Sequence, residues 1–161
     1  QRYKNNIFDI HVDVRKLLLS IASALKVLHE NGYIHLDIQP GNILKTGDGG
    51  LVLIDFDISE RIGGKRESFD IEEVRYSAPE LGTDDYTEKS DIWSLGLVAL
   101  DAHLYPSCRY TMKRMTQDDI EQKLNRLNDS NIQKLLRSML NSDPEQRPSA
   151  DQILSYLAIE Q

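Results

Sequence analysis

Between Lys89 and Leu104 the chain reads KSDIWSLGLVALDAHL. Ile92, Trp93, Leu95, Leu97, Val98, Ala99 and Leu100 are apolar nearly all round a helix. Such a helix has no face to offer water and belongs at the centre of a bundle. The spacing therefore predicts a buried helix over about 89–104. The rest of the fold must surround it, and 161 residues are enough for one domain with a true core.

The surrounding elements are legible. Val14, Leu17, Leu18, Ile21, Leu25 and Leu28 form one apolar stripe at helical spacing, with Asp13 placed as a cap and Gly32 as a stop. Ile43-Leu44 and Leu51-Val52-Leu53-Ile54 flank the turn Thr46-Gly47-Asp48-Gly49-Gly50, which predicts a hairpin. From Asp55 to Glu80 runs a long polar stretch without periodicity; such segments are usually functional or mobile. The remainder is helical. Ser130 to Gln133 and Ser149 to Gln152 both have capping-box spacing ahead of apolar runs. The fold class is mostly α with a small β-hairpin between the first long helix and the rest.

Composition excludes several classes. Hydrophobic residues are 40% and charged residues 28%, which argues against a collagen-like, disulfide-framework or disordered chain. A net charge of −7 gives no support to a nucleic-acid or anionic-membrane binder. The lone Cys108 cannot form an internal disulfide and fits an intracellular setting. No apolar run reaches the roughly 18 residues that span a bilayer. The N-terminus, Gln1-Arg2-Tyr3-Lys4, has no apolar signal core and no initiator methionine, so the expectation is a piece of something longer.

Polar residues gather around the hairpin. His35-Leu36-Asp37-Ile38-Gln39-Pro40-Gly41-Asn42 precedes it, and Asp55-Phe56-Asp57 follows its second strand. A hairpin returns the chain to its start, so Asp37, Asn42 and Asp55 can converge at one mouth. Two carboxylates and an amide oxygen suit Mg²⁺, which leaves places for phosphate oxygens. The second carboxylate is then free to accept a proton.

These residues, in this order, resemble the C-terminal lobe of a eukaryotic protein kinase. HLDIQPGN stands for the catalytic loop, Asp55-Phe56-Asp57 for D-F-G, and Ala78-Pro79-Glu80 for A-P-E. Asp91-Ile92-Trp93-Ser94-Leu95-Gly96 and Asp143-Pro144-Glu145-Gln146-Arg147-Pro148 match two further motifs. The resemblance implies the larger lobe of the α+β kinase fold, with the N-terminal lobe absent. It implies a partial protein kinase domain over 1–161: catalytic loop 35–42, activation segment 55–80, helical remainder 88–158. Asp37 would be the catalytic base, and Asn42 and Asp55 would hold Mg²⁺ against the phosphates of ATP. Leu44 would lie under the adenine. His35 and Phe56 would stack in the column that links the lobes, Asp91 would hold the catalytic-loop backbone, and Glu80 and Arg147 would pair.

Four departures matter. Leu36 replaces the arginine that reads a phosphate on the activation segment, although Ser59, Ser68, Tyr76 and Ser77 keep hydroxyls there. Gln39 replaces a lysine that neutralises the transferred phosphoryl group; losing such a donor can cost ~10²–10³ in rate. Asp57 replaces a glycine, whose backbone freedom an aspartate lacks. No G-x-G-x-x-G loop or V-A-I-K lysine is present, which leaves the roof over ATP unaccounted for.

HLDIQPGN and Glu73-Val74-Arg75-Tyr76 are most similar to Wee-type kinases, inhibitors of the cell cycle. That resemblance implies a protein substrate, a cyclin-dependent kinase, and a place in the nucleus or cytoplasm, with no nucleic-acid or membrane partner. The alternative is a pseudokinase, a protein-binding module that transfers nothing.

Overall fold

The computed structural model describes residues 12–64, 75–81, 83, 86–104 and 114–159. Cys108, Ser68, Glu73 and Val74 lie outside them. The described order is α1 Val14–Glu30, β1 Tyr33–Ile34, β2 Ile43–Lys45, β3 Leu51–Leu53, β4 Glu60–Arg61, α2 Lys89–Leu104, α3 Gln117–Leu124, α4 Ser130–Met139 and α5 Ala150–Ile159. Short 3-10 turns cover Pro40–Asn42 and Pro144–Gln146.

The helix over 89–104 is where its composition requires it. Ile92, Leu95, Leu97, Val98, Ala99 and Leu100 are all buried, with α1, α3 and α4 packed around α2. Gly96 permits a close approach of α2 to the end of α4. A Cβ there would stand 3.0 Å from Leu140 Cδ2 and 3.3 Å from Met139 Cβ, so the absent side chain sets how near the helices come.

The stripe of α1 faces inward: Leu17, Leu18, Ile21, Ala22 and Leu25 are fully buried. The Asp13 carboxylate accepts the Lys16 N–H at 2.7 Å, as its capping position predicts. At the other end Asn31 is the cap, and Gly32 turns the chain away at φ +81°, a conformation glycine adopts without strain. α1 also lies along α5, where Lys26 pairs with Asp151 and Arg15 donates to the Leu157 carbonyl.

Two helix starts need adjustment. α4 is capped by Asp129, not Ser130: its carboxylate accepts Asn131 N–H and Ile132 N–H, each at 3.0 Å. A charged acceptor suits the positive end of a helix better than a hydroxyl does. α3, whose start the sequence pattern did not locate, opens with a capping box between Thr116 and Asp119. Ser149 and Gln152 exchange bonds at 3.1 and 2.8 Å, as their spacing predicts.

β2 and β3 form the expected antiparallel hairpin, with Ile43 opposite Leu53, Leu44 opposite Val52 and Lys45 opposite Leu51. β1 and β4 form a second ladder, with Tyr33 opposite Arg61 and Ile34 opposite Glu60. Two-residue strands carry no readable period, so this pair escaped the sequence. It brings the start of the 55–80 stretch back beside the entrance to the 35–42 loop. No described helix is long and apolar enough to cross a membrane.

Candidate active site

The loop from His35 to Asn42 is held from below by one carboxylate. Asp91, in the first turn of α2 and 1% exposed, accepts the His35 N–H at 2.8 Å on Oδ2 and the Leu36 N–H at 2.9 Å on Oδ1. Two consecutive amides on one carboxylate force a tight bend, and Leu36 takes φ +69°. A side-chain-bearing residue there costs ~1–3 kcal/mol, which surrounding contacts must outweigh. Leu36 obtains those contacts in an apolar cluster with Ile34 and Tyr86, packed on Ile58 and Leu81. The Tyr86 hydroxyl donates to Glu60 Oε2 at 3.0 Å. The position expected to lack a phosphate reader is thus a dry clamp between the loop, the start of the 55–80 stretch and the chain after Glu80.

His35 is fully buried. Its Nδ1 accepts the Asp37 N–H at 3.2 Å, and its Nε2 lies 3.2 Å from the Ile54 carbonyl. These partners assign the neutral tautomer with the proton on Nε2. Burial pushes its pKa below the ordinary 6.5, against the opposing charges of Asp91, Asp37 and Asp55. Phe56 meets its ring edge-on, with ring centres 4.7 Å apart and planes at 64°, so the two residues are in contact but not in the expected parallel stack. Phe56 is still 50% exposed.

Asp37 and Asn42 are brought together. Asn42 Nδ2 donates to Asp37 Oδ2 at 2.7 Å and to the Asp37 carbonyl at 2.9 Å. Gln39 Nε2 donates to Asp37 Oδ1 at 2.7 Å. Both carboxylate oxygens are therefore oriented, while each keeps a lone pair for a further donor. Among the described residues, Asn42 Oδ1 accepts no hydrogen bond. The Ile54 N–H donates to the Asn42 carbonyl at 2.9 Å, which sets the next residue, Asp55, beside this loop. Asp55 takes φ +67° and is exposed, its Oδ1 meeting the Asp57 N–H at 3.4 Å. It makes no hydrogen bond to Asp37 or Asn42. A free amide oxygen and an open carboxylate are hard oxygen donors, and they fit a Mg²⁺ that draws its other ligands from phosphate and water. Among the described residues no three His, Cys, Asp or Glu side chains could hold a metal.

Leu44 faces Val52 directly across the hairpin. Val52 is 41% exposed, so this pair offers a small apolar patch on the hairpin. Asp57 does not adopt a positive φ. An aspartate is therefore accommodated at residue 57 without the backbone freedom of a glycine.

A family model for the protein kinase domain matches residues 2–157. The chain belongs to the protein kinase family. Germinal center kinase 3 of Caenorhabditis elegans is 30% identical over 169 residues, covering 90% of this chain and 28% of that protein. The membrane-associated tyrosine- and threonine-specific cdc2-inhibitory kinase of Drosophila melanogaster is 32% identical, over 87% of this chain and 27% of its own length. A Wee1-like protein kinase of Arabidopsis thaliana is 34% identical, over 91% and 30%. The chain thus spans less than a third of each of these kinases.

Further pairs brace this kinase lobe. Arg147 donates to both oxygens of Glu80, at 2.6 and 2.9 Å. Its Nε donates to the Asn141 carbonyl at 2.8 Å, and its guanidinium lies 4.9 Å from the Trp93 ring centre. Burial raises the Glu80 pKa, but the bonds from Arg147 and Ser90 outweigh it and hold it below the ordinary 4.5. Removing one member would strand a charge at a cost of ~3–5 kcal/mol.

Sequence reasoning missed two polar residues that brace the central helix. Asp101, fully buried at the far end of α2, accepts Arg75 Nη2 at 2.6 Å, the Tyr76 hydroxyl at 3.2 Å and Lys123 Nζ at 3.2 Å. An acid inside a helix that is otherwise apolar all round was the available signal. The other is His29, which ends the α1 stripe and bonds Asp91; a single histidine at a helix end carries no such signal.

Proposed function

We propose that this chain is the catalytic lobe of a protein kinase that transfers the γ-phosphoryl group of ATP to a hydroxyl of a protein substrate. One observation carries the reading: Asp37 is oriented on both oxygens by Asn42 and Gln39, beside an unpaired Asn42 Oδ1 and the open carboxylate of Asp55. Asn42 and Asp55 are the residues that would hold Mg²⁺, which neutralises charge on the phosphates when bound. Asp37 orients the substrate hydroxyl and receives its proton as the oxygen bonds to phosphorus and ADP departs. Leu44 and Val52 supply the apolar floor for the adenine. His35 stays neutral and keeps the Asp37 backbone in place.

The Wee1-like and cdc2-inhibitory relatives support a finer reading. On it, the substrate is a cyclin-dependent kinase, the role is cell-cycle control, and the place is the nucleus or cytoplasm. The partial domain of 1–161, with its catalytic loop, activation segment and helical remainder, is part of the same proposal. Leu36 in its apolar clamp favours an activation segment that is set without phosphate.

Asp55→Asn in the full natural protein tests the assignment. It should abolish phosphotransfer while leaving the thermal midpoint near that of the parent. Retained activity would remove Asp55 from the site. A second reading, a protein-binding module without phosphotransfer, is motivated by Gln39, which brings a hydrogen bond but no charge. Mg-ATP at 100 times its dissociation constant stabilises a binder by about 2.7 kcal/mol. A folded protein with no thermal shift in high Mg-ATP would favour the module.

A further inference from the structure

Tyr86 lies after the 55–80 stretch, yet it closes on the beginning of that stretch. Its ring is buried and packs with Ile34 and Leu36, with Ile58 and Leu81 against them. Its hydroxyl donates to Glu60 Oε2 at 3.0 Å and lies 3.4 Å from the Gly64 carbonyl. A hydroxyl has one proton to give, and the shorter bond to a carboxylate is the stronger of the two. Beside so dry a cluster, that bond is worth more than it would be in open water. The residues it holds are the ones that grip the 35–42 loop. Glu60 faces Ile34 across the β1–β4 ladder, the Ser59 hydroxyl donates to the His35 carbonyl at 3.3 Å, and the Ile62 N–H donates to the Gly32 carbonyl at 2.9 Å. Just past them the Gly64 N–H donates to the Arg61 carbonyl at 2.9 Å and closes a turn. That turn is tight: a Cβ at Gly64 would stand 2.9 Å from the Arg61 carbonyl oxygen and 3.2 Å from Glu60 Oε2.

We propose that Tyr86 is a positioning residue for Asp37, acting through Glu60. Its hydroxyl latches residues 59–64 onto the entrance of the loop, and its ring backs Leu36 in the bend that precedes Asp37. Asp91 holds the amides of that bend from one side; residues 59–62 hold its entrance from the other. The second hold needs help. Two paired residues make a ladder too short to be stable by itself, and Leu36 sits at φ +69° against its own preference. With the hydroxyl gone, the Glu60 side chain is released from the clamp and the turn at Gly64 loses its outer anchor. A displacement of ~1 Å at a reacting group can cost ~10²-fold in rate, so a modest loosening of the entrance is enough to matter. The inference rests on reading Asp37 as the base of phosphotransfer.

The experiment compares Tyr86→Phe, Glu60→Met and the double variant in the full natural protein. Phenylalanine keeps the ring in the cluster and removes only the hydroxyl. Tyr86→Phe should lower kcat about tenfold with KM for ATP unchanged. It should also speed hydrogen exchange of the Ile62 and Gly64 amides about tenfold. The latch is broken from either side, so the two losses of kcat should not add, and the double variant should match the weaker of the single ones. Glu60→Gln keeps an acceptor for the hydroxyl and should recover most of what Glu60→Met loses. If Glu60→Met does not fold, Tyr86→Phe with its exchange rates decides the matter. Unchanged kcat and exchange in Tyr86→Phe would overturn the proposal. So would losses that add in full, or a loss of kcat that only tracks the folded fraction in a thermal melt. If the parent protein transfers no phosphate, the kinase reading fails by itself, and the exchange of the Ile62 and Gly64 amides still decides whether Tyr86 latches residues 59–64.

Discussion

Gln39 and Asn42 each give one amide N–H to the Asp37 carboxylate, at 2.7 Å in both cases. Gln39 therefore keeps the orienting half of what a lysine would do there and lacks the charge. Gln39→Lys should raise kcat about tenfold by adding a cation where negative charge builds up, measured as steady-state phosphotransfer at saturating ATP. An unchanged kcat would mean that charge at residue 39 does not limit the rate. His35 makes a pH prediction. Its folded pKa lies below 6.5, so below that value the unfolded chain binds a proton that the native state refuses. Its share of stability is present above pH 6.5 and is lost as pH falls through the lower folded value. Glu80 acts in the same direction further down: its folded pKa lies below 4.5, so its share is full above 4.5 and fades below it. Urea midpoints should fall in two stages on acidification, and His35→Phe should flatten the first. The residue types at 35, 37, 42 and 55 were enough to name the candidate site from sequence. The backbone at Leu36 and Asp55 was not readable, because nothing in a leucine or an aspartate announces a positive φ.

Among the elements, α2 was read with the bounds that the structure gives, Lys89 to Leu104. A surface that is apolar nearly all round leaves a helix no alternative but the centre. The same property makes α2 intolerant of added volume. Gly96→Val should cost about 1–3 kcal/mol, since even its first carbon would lie 3.0 Å from Leu140 and 3.3 Å from Met139. A thermal melt would record this, and a midpoint equal to the parent's would mean that α4 yields more easily than its packing indicates. The start of α4 was misplaced by one residue because Asp129 and Ser130 are both able caps, and only backbone geometry selects between them. The β1–β4 ladder was invisible because its partners are joined by shape rather than by pattern. Yet it is this ladder, with Tyr86 over it, that brings the polar stretch after Asp55 to Leu36.

For the molecule as a whole, the two ladders are nested: β2–β3 lies entirely inside the loop that β1–β4 closes. This arrangement sets an order of assembly. The hairpin spans a short turn and can form on its own within about 1–10 μs. Once formed, it takes up nearly half of the chain between Ile34 and Glu60 and shortens the effective loop, lowering the entropy cost of the outer ladder. The inner turn should therefore govern how fast the outer pair, and with it the Leu36 clamp, comes together. Gly50 is the place to look, because a Cβ there would stand 2.8 Å from Thr46 Oγ1 and 3.3 Å from Asp48 Oδ1. Gly50→Val should slow refolding in stopped-flow more than it speeds unfolding, the mark of a contact made before the rate-limiting step. The opposite pattern would place hairpin closure after the barrier. In this chain, the turn of the hairpin becomes a timer for the 35–42 loop.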